Sequence, residues 1–419
     1  MGNYLAGNYG AQLLALHGAD VVKVEPTSGE ASRSSRPYLP AGEGGDETWS
    51  HFELRMMRGV SSVVLDLDVA DDRHVLDELV GATDIFWTNL RADSARRRGV
   101  DWERLQCLNR QLVYVSLTGF GLAKNGEGEF SGQPAFDILV QGLAGLLSRN
   151  ADQDGTPQYN GLPLADQVTS TFATLGALLG LRQRDRTGEG CCVDVPMFDT
   201  MLAINEKAIS MYGVDAVAPP ARVSATTAPF GLFRTSDGHV CVAVGSDSMW
   251  RRFATVVGPL ISRDDLAEEE RYQSGTSRVK WTDEITALVE SFTSARTKQE
   301  VVDFLLAHDV PAGLALEVDD LSTSAHVKAR GIVREIALPG GVFPAVMSPI
   351  TVSGASQSVE LPHRLGVDRA RVMNAWLGRT TPLANNPSAP SIPRLSERGR
   401  STPPDRQGRR RGSREPTGD

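Results

Sequence analysis

The 419-residue chain has few features that mark common cofactor or nucleophile chemistries. No GxGxxG stands at a strand–helix turn and no GxxxxGK[ST] is present, so nothing supports a dinucleotide or P-loop site. A GxSxG nucleophile elbow is missing too. Seven histidines are scattered without HExxH or paired-ligand spacing, so no metal site is expected. Four cysteines (Cys107, Cys191, Cys192, Cys241) show no CxxC spacing and read as reduced core thiols of a cytoplasmic protein. No apolar run is long enough to span a membrane and no signal peptide follows Met1, so no membrane partner is expected. The net charge of −9 removes any general attraction to nucleic acid.

Hydrophobic residues at 41% and charged residues at 23% are globular values, and the length suits two domains with their own cores. Residues 2–26 read as a glycine-containing turn, a helix from Tyr9 to His17 and a strand Val21–Val24. A first strand before that turn, usual in such units, is missing from this sequence. Strands at Ser62–Leu67, Ile85–Thr88 and Leu112–Leu117 alternate with helices at Ala70–Val80 and Trp102–Leu108. That alternation predicts a mostly parallel, doubly wound α/β sheet, with ligands beyond the carboxyl ends of the strands. Helices at Phe136–Leu147 and Phe198–Tyr212 flank a strand at Cys192–Val195.

From about residue 216 the texture changes. Asp237-Gly238 between strand-like runs signals a hairpin, and helices at Met249–Val257, Trp281–Phe292 and Lys298–His308 complete an α+β unit. The expected organisation is a large domain over 1–215 and a small α+β domain over 216–330. A return segment over 331–378 includes a helix Arg369–Leu377, and a Pro/Arg-rich tail over 379–419 is too poor in large apolar residues to fold. That tail holds nine Arg and four acids, a net of +5, which leaves −9 − 5 = −14 on the rest.

The stretch 161–190, GLPLADQVTSTFATLGALLGLRQRDRTGEG, reads as a long helix with Pro163 at its first position and Asp166 in its first turn. Leu164, Val168, Phe172, Leu175 and Leu179 make an apolar stripe at helical spacing. Ala165, Thr169, Ala173, Gly176 and Gly180 make a second stripe of small residues. Each glycine costs about 1 kcal/mol against alanine inside a helix, so close approach of another backbone is expected there. Taken alone, Asp166 is explained as a first-turn acid favoured by the helix dipole. Asn89 and Arg91 are equally well turn residues, and Arg96, Arg97 and Arg98 a solvated helix face.

The order of several segments is more specific. LAGNYGAQLLALHGADVVKVEPTSGEASR, RGVSSVVLDLD, TNLRADSARRRGVDWERLQCLNRQLVYVSLTGFG, the Asp166 helix ending in RTGEGCCVDV, and VPAGLALEVDDL with HVKARG together resemble the class III (CaiB/BaiF-type) CoA-transferases. That family includes formyl-CoA transferase and 2-methylacyl-CoA racemase, and the resemblance covers roughly residues 2–378. It implies a Rossmann-like large domain with the smaller α+β domain inserted, and an interlocked homodimer whose close packing the small-residue stripe would suit. It further implies an acyl-CoA:carboxylate CoA-transferase working through an aspartyl–acyl anhydride. The PLAD sequence places the nucleophile on Asp166. CoA contacts fall on Arg33, Asn89, Arg91 and Arg97. No tightly bound cofactor is implied; the CoA thioester and a carboxylic acid are substrates.

The chain also departs from the family pattern. Met57-Arg58-Gly59-Val60-Ser61 stands where NRGKRS is usual, losing two basic positions. Asn8 replaces the proline of an AGP turn, and the glycine-run loop of formyl-CoA transferase is not evident around 216–230. Phe136 occupies the position of a racemase histidine, which disfavours proton exchange at an α-carbon. The alternatives are therefore a racemase, or a catalytically impaired CoA-binding subunit.

Overall fold

A computed structural model describes residues 1–39, 48–152, 154–217, 219, 221, 226–338 and 340–378. The expected tail over 379–419 lies outside them. Five strands in the first half of the chain are parallel and fall into two sheets. Val21–Glu25 pairs with Val60–Val64. Ile85–Thr88, Val113–Thr118 and Cys191–Pro196 form the other sheet in that order. The two sheets share no ladder, and a cavity of about 700 Å³ lined by Val22, Val24, Ile85 and Phe86 lies between them. The architecture is mixed α/β with parallel sheets.

The long helix runs Leu164–Thr187 and ends at Gly188, whose φ of 76° is the left-handed cap that glycine supplies. Pro163 stands one residue earlier than expected, at the cap. Its two stripes are used in the opposite way to their size. Ala165, Ala173 and Ala177 are fully buried, whereas Phe172, Leu175, Leu178 and Leu179 are exposed. A Cβ on Gly176 would meet Val193 at 2.6 Å, and one on Gly180 would meet Val113 at 2.5 Å. The small stripe is thus filled within this chain by the Val113–Thr118 and Cys191–Pro196 strands, and it is not the surface left for a partner. On the neighbouring face the helix crosses Tyr4–Leu16, where Gly10 donates its N–H to Ser170 Oγ at 2.7 Å. Ser170 donates in turn to the Ala6 carbonyl at 2.9 Å.

Several expected helices have different limits. The first begins at Tyr4, five residues early, because Gly7 and Gly10 are helical positions that allow close approach to Gly2 and to Ser170 and Trp87. The 136–147 helix is broken into Asp137–Leu143 and Leu146–Arg149 by Gly145 at φ 78°. The 198–212 helix breaks at Asn205, whose side chain donates to the Ala144 carbonyl instead. Cys107 and Cys241 are exposed, so they are not core thiols.

Residues 228–310 build their own apolar core around Trp250, Phe253, Tyr272 and Phe292. A three-stranded antiparallel sheet includes the Phe230–Thr235 and Gly238–Ala243 hairpin. The Asp237 carboxylate at its turn accepts from the Lys298 N–H at 2.7 Å. The Val333–Leu338 and Gly341–Val346 hairpin then packs Ile336 and Phe343 against Leu54. The Arg369–Leu377 helix adds Val372 and Met373 to the core of the first half. No helix among the described residues is long and apolar enough to cross a membrane.

Candidate functional site

Asp166 is the third residue of the Leu164–Thr187 helix, where the helix dipole favours an anion. A second carboxylate stands against it. Asp137 opens the Asp137–Leu143 helix, and its Oδ1 accepts the Asp166 backbone N–H at 3.2 Å. It therefore caps the long helix from another element, satisfying one of the amide groups a helix start leaves unpaired. Asp137 is itself held: Gln141 Nε2 donates to its Oδ2 at 2.6 Å, and Tyr159 Oη donates to the same oxygen at 3.3 Å. Gln141 is buried and also bonds the Leu162 carbonyl at 2.9 Å. This bond ties the loop that leads into the long helix to the same cluster.

Burial, followed by repulsion from Asp137, pushes the Asp166 pKa up to about 7. Burial and the Asp137 charge outweigh the helix dipole, whose effect is confined to the first turn. Near neutrality Asp166 is therefore divided between acid and carboxylate. Replacing Asp137 by asparagine keeps an oxygen for the Asp166 N–H and removes the repelling charge. The Asp137→Asn variant is expected to move the acid limb of the kcat/KM pH profile below the wild-type midpoint near 7. An unshifted limb would remove Asp137 from the electrostatics of the site.

The other expected residues are distributed unevenly. Asn89 follows the Ile85–Thr88 strand and clamps the start of the first helix: its Oδ1 accepts from Asn3 N–H and its Nδ2 donates to Asn3 O, both at 2.8 Å. Arg91 is exposed and donates to the Gly132 carbonyl, five residues before Asp137. Tyr4 and Phe136 meet edge to face at 6.3 Å, so the first-helix start, the 132–137 segment and the Asp166 turn border one region. Arg97 is exposed at the end of the Ala92–Arg97 helix and makes no described contact with the others. Arg33 is elsewhere. Its guanidinium is nearly buried and bonds Glu25, Glu53 and the His363 carbonyl.

Asp137, Gln141 and Tyr159 were not found from sequence. Asp137 and Gln141 at i and i+4 gave a usable signal for one helical face, but only the three-dimensional pairing of residues 137 and 166 gives it meaning. Tyr159 lies in a loop and carried no signal.

Comparison with known proteins gives the family. The family model of CoA-transferase family III matches residues 1–368. A succinyl-CoA:mesaconate CoA-transferase of Haloarcula marismortui is 32% identical over 80% of this chain and 83% of its own length. A succinate–glutarate CoA-transferase of Agrobacterium fabrum is 29% identical over 88% of this chain and 92% of its own. The crystal structure of a CAIB/BAIF family protein from Brucella suis superposes with a TM-score of 0.75 at 27% identity. That superposition covers 89% of this chain and 96% of the other.

Proposed function

The chain belongs to CoA-transferase family III, and we propose that it moves CoA between a CoA thioester and a carboxylic acid through an anhydride on Asp166. The observation that carries this reading is a half-buried carboxylate on the first turn of a long helix, raised to a pKa of about 7 beside a second carboxylate. A desolvated carboxylate is a stronger nucleophile than a hydrated one, and fixed geometry adds to its effectiveness.

In the proposed cycle an Asp166 oxygen attacks the thioester carbonyl carbon, the C–S bond breaks, and CoA leaves as thiolate. The thiolate attacks the aspartyl carbonyl of the resulting anhydride, giving an aspartyl–CoA thioester and the free donor acid. The acceptor carboxylate then attacks that thioester, forming a new anhydride and releasing the thiolate again. Attack of the thiolate on the acceptor's acyl carbon yields the new acyl-CoA and restores Asp166. Asp137 stays unmodified throughout; it orients the helix end and repels the resting carboxylate. Phe136 has no exchangeable proton on its side chain, so nothing at that position supports a racemase.

Asn89 and Arg91 suit the CoA side of this region, with Arg97 further along the same surface; a guanidinium fork matches phosphate oxygens. A Rossmann-like core and a homodimer belong to the same proposal. The exposed Phe172, Leu175, Leu178 and Leu179 form an apolar patch that a second copy would cover. Light scattering should give twice the mass of the chain. For the chemistry, incubation with acyl-CoA followed by hydroxylamine should leave a hydroxamate on the Asp166 peptide. A peptide that stays unmodified with donors that support transfer would overturn the anhydride.

A further inference from the structure

Four large apolar side chains stand at the carboxylate pair with much of their surface in water. Phe136 immediately precedes Asp137, and its ring meets Tyr4 edge to face at 6.3 Å. Tyr159 reaches Asp137 Oδ2 through its hydroxyl, and Leu162 is tied to the same carboxylate through Gln141. All four are between 41% and 59% exposed, and large apolar groups gathered at one place on a surface mark a binding site. Tyr4 is brought there by the crossing of two helices. Ser170, one turn beyond Asp166, bonds both the Ala6 carbonyl and the Gly10 N–H, so the start of the Tyr4–Leu16 helix lies beside the turn that carries Asp166. The backbone of Tyr4 is held against its preference, with φ at 54°, in the left-handed region that a bulky residue seldom adopts. Its N–H donates to Glu30 Oε1 at 2.6 Å, and the preceding Asn3 is clamped by Asn89. Strain of this kind persists where one side chain is needed in one place.

Attack by Asp166 brings the thioester carbonyl carbon to within about 3–3.5 Å of its carboxylate, so the next carbons of the acyl group lie beside these side chains. The fixed charge there is negative, because Asp137 stands against the Asp166 turn. Arg91, at the border of the region, donates to the Gly132 carbonyl. We infer that the acyl group this site takes is an apolar aliphatic chain, lying against the rings of Phe136 and Tyr4. The inference rests on the reading of Asp166 given above, which fixes where the acyl carbon sits. A chain that ends in a methyl group takes ring surface out of water with itself. A short chain that ends in a carboxylate brings a second anion toward Asp137 and must give up its own hydration against the rings.

The test uses the full chain with S-butyl-CoA and the same thioether with its terminal methyl replaced by a carboxylate. Neither has a carbonyl for Asp166 to attack, so calorimetry reads binding without chemistry. The wild type should bind S-butyl-CoA about tenfold more tightly, the scale of one or two methylene-sized groups taken out of water. Phe136→Ala should bring the ratio to near unity. Tyr4→Gly should lower it too while raising the melting temperature, since glycine accepts the left-handed backbone, so a lost preference in that variant is not a folding defect. Equal binding of the two thioethers by the wild type, or tighter binding of the carboxylated one, overturns the inference. A wild-type ratio kept by both variants overturns it as well, and leaves CoA transfer through Asp166 intact. Conversely, a preference that depends on Phe136 and Tyr4, in a protein that forms no hydroxamate at Asp166, upholds the apolar acyl site and removes the anhydride reading.

Discussion

Asp166→Asn is expected to lower kcat for CoA transfer by more than about 10³-fold, the scale seen when a covalent nucleophile is removed. The amide has nearly the shape of the carboxylate, but it offers no anionic oxygen to the thioester carbonyl. The same substitution should leave the fold at least as stable, and the sign follows from the titration. Burial and Asp137 raise the folded-state pKa of Asp166 from 3.8 to about 7. The folded protein therefore holds a proton that the unfolded chain has released, and stability falls as pH rises from about 4 to 7. Above pH 7 the whole penalty is present, at most about 4 kcal/mol for a rise from 3.8 to about 7. Asparagine has no such penalty, so the variant should melt at or above the wild-type temperature at pH 8. That advantage should disappear at pH 4. Loss of transfer with undiminished stability separates a chemical role from a structural one. A variant that still transfers CoA would defeat the proposed mechanism outright.

The alternation of strands and helices was legible because parallel strands buried on both faces leave near-continuous apolar runs, as at Val113–Thr118. Periodicity along 164–180 also gave both stripes of the long helix. It could not say which stripe is buried, because that depends on how near Val113 and Val193 come to the backbone. Glycine at 176 and 180 is needed for that approach, and the larger side chains are consequently turned outward. Asn8 and Arg58 tell a similar story. In place of a turn proline, Asn8 is a helical residue bonded to Lys23 and Glu30, which are themselves paired at 2.7 Å. Arg58 is retained from a basic motif but is fully buried and donates to the Val346 carbonyl at 2.6 Å. In each case the residue type was plain and its partner was far away in sequence. Asp137 belongs with them: a first-turn acid by sequence, it gains its effect from a helix that starts 27 residues later.

Arg33→Ala is expected to destabilise the protein by about 3–5 kcal/mol, the usual cost of removing one partner from a buried ion pair. Resemblance alone gave Arg33 a CoA phosphate, but its donors face inward. Nε and Nη2 grip the two oxygens of Glu25 at 2.7 and 2.6 Å, and Nη1 reaches Glu53 at 2.8 Å. Glu25 is 1% exposed and Glu53 8%, so alanine would leave two carboxylates out of water without their cation. Lysine restores one point charge but not the fork, so Arg33→Lys should recover only part of the loss. The pH dependence adds a check. Burial pushes the Glu25 carboxyl up, but the hydrogen bond and charge of Arg33, with help from Lys23, bring it below its ordinary 4.5. A depressed carboxyl contributes stability above its unfolded pKa and loses it as pH falls through the folded one. The deficit of Arg33→Ala should therefore be largest near neutrality and shrink in acid below pH 4.5, measured as urea midpoints across that range. A solvent-facing phosphate ligand would behave differently: its loss would leave urea midpoints unchanged and weaken CoA binding in a salt-dependent way. That second pattern would return Arg33 to the CoA site and sink the structural role.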